Sequence, residues 1–136
     1  MLARAMGAGT EGSAMSVLGG ILEAERTGQT LIITPLKNLS ELDYQQIQLA
    51  GREMLELLSV APVKNVIMDF HKTESFGSTA LGFFLKLWKK VRERSGSMVF
   101  CNLSENEKEI LEVTKLDGLW TIVPDLDEAR KALNEG

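Results

Sequence analysis

The sequence has little of the side-chain chemistry on which most catalytic and metal sites depend. It contains one cysteine, Cys101, and one histidine, His71, among 136 residues. A single cysteine excludes an internal disulfide and a thiolate zinc cluster, and it is typical of a reducing compartment. We therefore expect a cytoplasmic protein that holds neither a metal ion nor a cofactor, with Cys101 as a small core residue.

Excess positive charge and long apolar runs are also missing. The formal net charge is −4 at pH 7, so the molecule as a whole does not attract phosphate backbones and nucleic acid is not expected as a partner. No apolar run approaches the roughly 20 residues that cross a bilayer, which argues against a membrane partner. The hydrophobic share of 44% over 136 residues is enough for one buried core, so a single domain is predicted.

The N-terminal stretch differs in composition from the rest of the chain. Residues 1–15 are rich in glycine and alanine and show no hydrophobic period. Such a segment buries too little apolar surface to offset the entropy that it would lose on ordering. We expect residues 1–15 to form a flexible tail and residues 16–136 to form the domain.

Strand and helix patterns alternate through the predicted domain. Strand-forming runs lie at 21–26, 30–35, 65–70, 97–101 and, as a further short candidate, 119–123. Helical spacing and N-cap residues predict helices over 41–59, 78–93, 105–114 and 126–133. This order predicts an α/β fold, with a mixed β-sheet of four or five strands flanked by about four helices.

Two of the predicted helices carry an apolar stripe at helical spacing. The stripe of the first helix consists of Ile47, Ala50, Met54 and Leu58. The stripe of the second helix consists of Leu81, Phe84, Leu85, Trp88 and Val91. We expect these residues to face the core.

The segment FGSTALG, residues 76–82, stands between a predicted strand and a predicted helix. Its glycines have the spacing of a phosphate-binding loop, but Phe83 and Phe84 follow where that loop needs Lys and then Ser or Thr. A serine-hydrolase elbow needs G-x-S-x-G with a later histidine, whereas His71 precedes Ser78. No catalytic residue is assigned and an enzyme is not expected, although a small hydrolase built from Ser78 and His71 stays as a minor alternative.

The two hydroxyls of this segment, Ser78 and Thr79, have two interpretations. In the first, one of them is an ordinary N-cap that accepts a hydrogen bond from a free amide of the helix. In the second, the hydroxyl is a site of phosphorylation, because a phosphate at a helix N-terminus gains from the helix dipole and from the free amides. The residues alone leave both interpretations open.

From about residue 17 to residue 133 the chain resembles the STAS family, in its anti-sigma factor antagonist type. The resemblance depends on the segment VKNVIMDFHKTESFGSTALG and on the basic helix, strand and leucine-containing segment that follow it. The family includes bacterial anti-sigma factor antagonists, stressosome scaffolds and the cytoplasmic ends of sulfate-type anion transporters. The resemblance implies a mixed sheet flanked by helices, in agreement with the predicted order of elements.

The resemblance also implies a site. It places Ser78 at the family's phosphoacceptor serine, with Thr79 as second choice, and Gly77 where the family has an aspartate. That difference removes a charged, amide-capping group next to the acceptor. The partner-binding segment implied by the resemblance is Gly77, Ser78, Thr79, Ala80, Leu81 and Gly82.

The function implied by the resemblance is that of a partner-switching regulator. The unphosphorylated protein would bind an anti-sigma factor that is also a serine kinase, and phosphorylation of Ser78 would release it. A cognate phosphatase is a further candidate partner, and the protein would be a monomer or a weak dimer. The alternative is a STAS scaffold or assembly module, stressosome-like or transporter-associated, that is not phosphorylated.

Overall fold

The computed structural model describes residues 13–60 and 62–133. Its strands are β1 (Ser13–Leu18), β2 (Leu22–Thr27), β3 (Thr30–Pro35), β4 (Asn65–Asp69), β5 (Met98–Cys101) and β6 (Thr121–Val123). Its α-helices are α1 (Tyr44–Val60), α2 (Ser78–Glu93), α3 (Glu105–Val113) and α4 (Leu126–Ala132). A short 3-10 turn, Glu41–Asp43, leads directly into α1.

The six strands of the described residues form one mixed sheet in which the spatial order follows the chain order, β1 to β6. The first three strands are antiparallel neighbours, with Ser13 opposite Thr27 and Leu22 opposite Pro35. From β3 onward each neighbour is parallel. Since parallel neighbours need a crossover, helices α1, α2 and α3 each connect two of these strands. The parallel strands therefore direct their carboxyl ends to one edge of the sheet.

The helices cover the sheet unequally. The larger core lies on one face, where buried residues of α1, α2 and α3, including Met54, Phe84 and Leu111, pack against the sheet. A smaller cluster on the other face joins Ala129 of α4 to residues of the central strands such as Ile67. The central strand β4 is buried on both faces, which explains its continuous apolar sequence.

The predicted α/β fold is confirmed, but the predicted number of strands was too low. Strand β1 was not predicted, and its residues 13–15 belong to the stretch that was assigned to the tail. It is an edge strand in which the successive residues Met15, Ser16 and Val17 are all exposed, so it lacks the alternation of a half-buried strand. Its hydrogen-bonded ladder to β2 holds it in the sheet. Residues 1–12 of the predicted tail lie outside the described residues.

The predicted helix 41–59 is divided between the 3-10 turn and α1. Ser40 caps the turn, and the carboxylate of Asp43 accepts a hydrogen bond of 3.0 Å from the Ser40 backbone amide in return. Lys37 donates to the same carboxylate at 2.8 Å. The hydrogen bond from Lys37, followed by that from the Ser40 amide, lowers the pKa of Asp43. These contacts fix the position of Glu41 at the start of the turn.

Candidate functional site

The predicted site lies where the loop after β4 enters helix α2. The backbone amide of Gly77 donates to the carbonyl of Leu39 at 2.7 Å, and Leu39 also forms an isolated parallel bridge with Phe76. Leu39 and Phe76 are both buried. Together these contacts join the loop before the 3-10 turn to the loop before α2, so the turn lies against the start of the helix.

The carboxylate of Glu41 caps helix α2 from the neighbouring loop. Its Oε2 accepts hydrogen bonds from the backbone amide of Ser78 at 2.6 Å, from the Ser78 hydroxyl at 3.0 Å and from the backbone amide of Thr79 at 3.4 Å. Its Oε1 accepts one from the Thr79 hydroxyl at 2.6 Å. The first amides of a helix have no partner within the helix, and here the Glu41 carboxylate satisfies two of them.

These hydrogen bonds stabilise the charged form of Glu41. The bond from the Thr79 hydroxyl, followed by the bond from the Ser78 hydroxyl, lowers the pKa of the Glu41 carboxyl below its ordinary value. Glu41 is therefore an anion at neutral pH. The hydroxyls of Ser78 and Thr79 thus act as donors to this carboxylate, and neither of them supplies the N-cap that the first interpretation required.

Gly77 makes the close approach of Glu41 possible. Gly77 is the N-cap residue of α2, its backbone is extended, and no side chain caps the helix from this position. A Cβ atom built on Gly77 would overlap Oε2 of Glu41. The glycine at position 77 and the carboxylate at position 41 are therefore two parts of one arrangement.

The structure brings the predicted segment together at the surface, with one correction. Ser78 and Gly82 are exposed, whereas Gly77, Thr79 and Leu81 are partly buried. Ala80 is 0% exposed and belongs to the core. Its side chain is out of reach of a partner, so Ala80 is removed from the predicted contact surface.

A groove of about 310 Å³ between α1 and α2 adjoins Thr79. The apolar side chains of Leu55 and Phe83 line it together with the cations Arg52 and Lys86. No acidic side chain is among the described residues that line this groove. This groove could not be predicted from the sequence, because its lining comes from two helices, and only the packing of the folded core determines which of their residues face each other.

His71 and Ser78 have different partners. The His71 ring lies with Nδ1 3.0 Å from Oδ2 of Asp69, and Asn102 donates to the other oxygen of that carboxylate at 2.9 Å. The Ser78 hydroxyl donates to Glu41. This geometry does not support the minor hydrolase alternative, because a nucleophile needs its base within hydrogen-bond reach.

Within residues 13–60 and 62–133, no group of three or more His, Cys, Asp or Glu side chains is placed to hold a metal ion. No helix in the same part of the chain has the length and apolar character needed to cross a membrane.

Comparison with known proteins gives one consistent family. The STAS domain family model matches residues 14–129. An anti-sigma-factor antagonist (STAS) domain protein from Planctomyces limnophilus is 26% identical with a TM-score of 0.73, over 83% of this chain and 97% of that one.

Two structures of SpoIIAA share the fold at lower identity. The anti-sigma factor antagonist SpoIIAA in its unphosphorylated form is 15% identical with a TM-score of 0.60, over 91% of this chain and 98% of that one. The Bacillus cell fate determinant SpoIIAA in the phosphorylated form is 18% identical with a TM-score of 0.62, over 82% and 96%. With the family match over residues 14–129, the chain belongs to the STAS domain family.

Proposed function

We propose that this protein is a non-enzymatic, cytoplasmic partner-switching regulator similar to anti-sigma factor antagonists. In the unphosphorylated state it binds an anti-sigma factor with serine kinase activity, and phosphorylation of Ser78 releases that partner. Thr79 is the second choice of acceptor. The observation that carries the proposal is the position of the Ser78 hydroxyl, which is exposed at the first residue of helix α2.

The relatives support a switch that leaves the fold intact. SpoIIAA has both an unphosphorylated and a phosphorylated structure, and the fold of this chain is similar to each, with TM-scores of 0.60 and 0.62. A phosphate at an exposed helix start adds about two negative charges without entering the core. The predicted effect of phosphorylation is therefore a change of surface charge next to the partner.

The groove between α1 and α2 supplies the docking surface next to Ser78. Its apolar residues, such as Leu55 and Phe83, and its cations, Arg52 and Lys86, match a partner helix that carries apolar and acidic side chains on one face. The two cations of the groove favour an acidic partner helix, because opposite charges attract across an interface. Ser78 immediately precedes Thr79, which lines the groove, so a phosphate on Ser78 would repel the acidic residues of that helix and binding would weaken.

The test is capture of the cognate serine kinase by variants at position 78. Ser78→Ala is expected to bind as well as the wild type, whereas Ser78→Asp is expected to weaken binding about tenfold or more, the effect of like charges at a close interface. Ser97→Asp is the matched control, because Ser97 is exposed and lies before β5, at the opposite edge of the sheet. Equal binding by Ser78→Ala and Ser78→Asp would reject the mechanism.

The second candidate function is a STAS scaffold or assembly module that is not phosphorylated. The contact of Glu41 with both hydroxyls favours it, because each hydroxyl already donates to a carboxylate. Mass spectrometry after incubation with the partner kinase and a nucleoside triphosphate separates the two functions. Phosphate on Ser78 or Thr79 supports the switch, and an unmodified protein in the presence of an active, bound kinase supports the scaffold.

A further inference from the structure

The start of helix α2 already holds an anion, and that anion belongs to the protein. The Glu41 carboxylate accepts the backbone amides and the hydroxyls of Ser78 and Thr79, four donors in all. We infer that Glu41 is the positioning residue of this site: its carboxylate orients the hydroxyl of unphosphorylated Ser78, and a phosphate on Ser78 displaces that carboxylate from the helix start. The inference rests on the proposed function only for the identity of the modified residue.

Phosphorylation of Ser78 changes the hydrogen-bond donors and acceptors at the helix start. A kinase would transfer the terminal phosphoryl group of a nucleoside triphosphate to Oγ of Ser78: the new O–P bond forms, the P–O bond to the leaving diphosphate breaks, and the hydroxyl proton passes to solvent. Oγ then has no hydrogen to donate, so the 3.0 Å bond to Glu41 is lost. The phosphate oxygens are strong acceptors and need donors nearby. The amides of Ser78 itself and of the following residue, Thr79, are the ones that Glu41 occupies.

Phosphorylation of Ser78 also brings a second negative group close to the Glu41 carboxylate. Oγ of Ser78 lies 3.0 Å from Oε2 of Glu41, so a phosphate attached to Oγ would lie within a few ångströms of the carboxylate. A glutamate carboxyl is charged at neutral pH, and the hydrogen bond from the Thr79 hydroxyl, which phosphorylation of Ser78 does not remove, lowers the pKa of Glu41 further. A dianion and a carboxylate at this distance repel each other. One of them has to move away from the helix start.

The group that moves is the Glu41 side chain. The phosphate is attached to the first residue of α2 through one short side chain, whereas Glu41 is exposed and reaches the helix through a longer, rotatable side chain. The backbone of the 3-10 turn is held separately, by Ser40 and by the pair of Lys37 and Asp43. The Glu41 side chain can therefore leave while the turn stays in place. Phosphorylation exchanges one anion for another at the same two amides.

The experiment uses the intact protein with phosphoserine installed at position 78 during synthesis, in the wild type and in Glu41→Gln. Gln keeps the length of the side chain and removes its charge. In the wild type, phosphoserine is expected to lower the melting temperature by about 3 °C or more, and in Glu41→Gln this loss is expected to disappear. Glu74→Gln is the matched control, since Glu74 is exposed in the loop before α2, and among the described residues the side-chain hydrogen bond of Ser78 is made to Glu41 and not to Glu74. It should behave as the wild type does.

Phosphorus NMR gives a second readout that a merely structural role of Glu41 would not change. The second pKa of the phosphate, about 6 for an isolated phosphoserine, is expected to be higher in the wild type than in Glu41→Gln by about half a unit. Equal melting shifts and equal phosphate pKa values in the two proteins would overturn the inference.

The outcome is distinguishable from failure of the proposed function, because neither measurement involves a kinase or a binding partner. If Ser78→Ala and Ser78→Asp capture the kinase equally well, but Glu41→Gln still changes the effect of phosphoserine on melting temperature and phosphate pKa, only the proposed function fails. If capture depends on the charge at position 78, but Glu41→Gln changes neither effect of phosphoserine, only the role of Glu41 fails.

Discussion

At the start of helix α2, the Glu41 carboxylate lies where a side chain on Gly77 would have to be. The backbone of Gly77 is extended, with φ −105°, so an L-residue can adopt it without strain. The requirement for glycine at this position therefore comes from the space that the carboxylate occupies and not from the backbone angle.

Two alanine substitutions in the same segment are expected to have opposite effects on stability. Gly77→Ala is expected to displace Glu41 and to lower the melting temperature. Gly82→Ala is expected to stabilise the protein by about 0.5–1 kcal/mol, because glycine weakens a helix interior and a Cβ at position 82 meets nothing within 4 Å. Thermal unfolding followed by circular dichroism measures each effect.

Introducing Gly77→Ala into the Glu41→Ala variant tests whether the Glu41 carboxylate is the reason for the loss of stability. Without the carboxylate, Gly77→Ala should no longer lower the melting temperature relative to its parent. A loss of the same size in both backgrounds would show that the glycine is needed for another reason.

Cys101 is a residue whose role was correctly predicted from the sequence. It is 0% exposed, and burial, followed by the charges of Asp69 and Asp125, raises the pKa of its thiol to about 12. The thiol therefore stays protonated at neutral pH, and a protonated, buried thiol is a poor nucleophile. Its position at the end of a strand-forming run was enough to identify it as a core residue.

At the scale of elements, helix α3 begins with a capping box that also fixes the loop after β4. Ser104 accepts from the amide of Glu107 at 3.0 Å, and the Glu107 carboxylate accepts from the amide of Ser104 at 2.9 Å. The same carboxylate is fully buried and accepts a hydrogen bond of 2.6 Å from the hydroxyl of Thr73. The N-cap that starts this helix was predicted from the sequence, but the contact with Thr73 joins positions that no local pattern relates.

The buried contact predicts a measurable cost for Thr73→Val. The substitution keeps the shape of the side chain and removes the only hydroxyl that the described structure directs at Oε2 of Glu107. A buried acceptor that loses its donor destabilises the protein by about 1–3 kcal/mol. Urea unfolding measures the loss, and Thr73→Ser, which retains the hydroxyl, should recover most of it. Equal stability of Thr73→Val and the wild type would contradict this role.

The two predicted apolar stripes were confirmed to different extents by the buried residues of α1 and α2. All four predicted stripe residues of α1 are buried, as expected. In α2 the stripe is displaced, because Phe83 and Leu87 are buried whereas Leu81, Leu85 and Trp88 are only partly buried. Arg92 lies over the Trp88 ring at 4.7 Å, and this cation–π contact stabilises the ring at the edge of the core. Helical spacing identifies a helix, but its exact rotation depends on its neighbours.

At the scale of the whole molecule, one aromatic cluster joins the sheet to the site. Phe84 of α2 makes edge-on ring contacts with Phe76, Phe100 and Trp120, at centroid distances of 5.3, 5.6 and 6.5 Å. Phe76 immediately precedes Gly77 and forms the bridge with Leu39. The position of the helix start therefore depends on the packing of the core.

Phe84→Ala tests this dependence. Phe84 is 0% exposed, and removal of a buried phenyl ring costs about 3–5 kcal/mol. Tyr44→Ala is the control, because Tyr44 is 55% exposed and its removal should change stability by about 0.5 kcal/mol or less. Guanidinium unfolding of the two variants checks the difference. A Phe84→Ala loss no larger than that of Tyr44→Ala would show that the cluster does not hold the fold.

The order of elements could be predicted from the sequence because it depends on local patterns, such as the continuous apolar run of β4 and the caps of α3. The juxtaposition of Glu41 with Ser78 could not, since it depends on how two loops meet at the carboxyl edge of the sheet. The bridge between Leu39 and Phe76 is the contact that sets it. An acid near a predicted helix start is common, so Glu41 carried no signal of its own.

Glu41 and Ser78 are separated by 37 positions in the sequence, and this separation affects how related sequences are judged to have an intact or a degenerate site. A motif search limited to residues 76–82 would conclude that this protein has no acidic residue beside Ser78, although Glu41 supplies one in the folded chain. Related sequences with glycine at the equivalent of position 77 should be searched for an acid at the equivalent of position 41 before they are counted as degenerate.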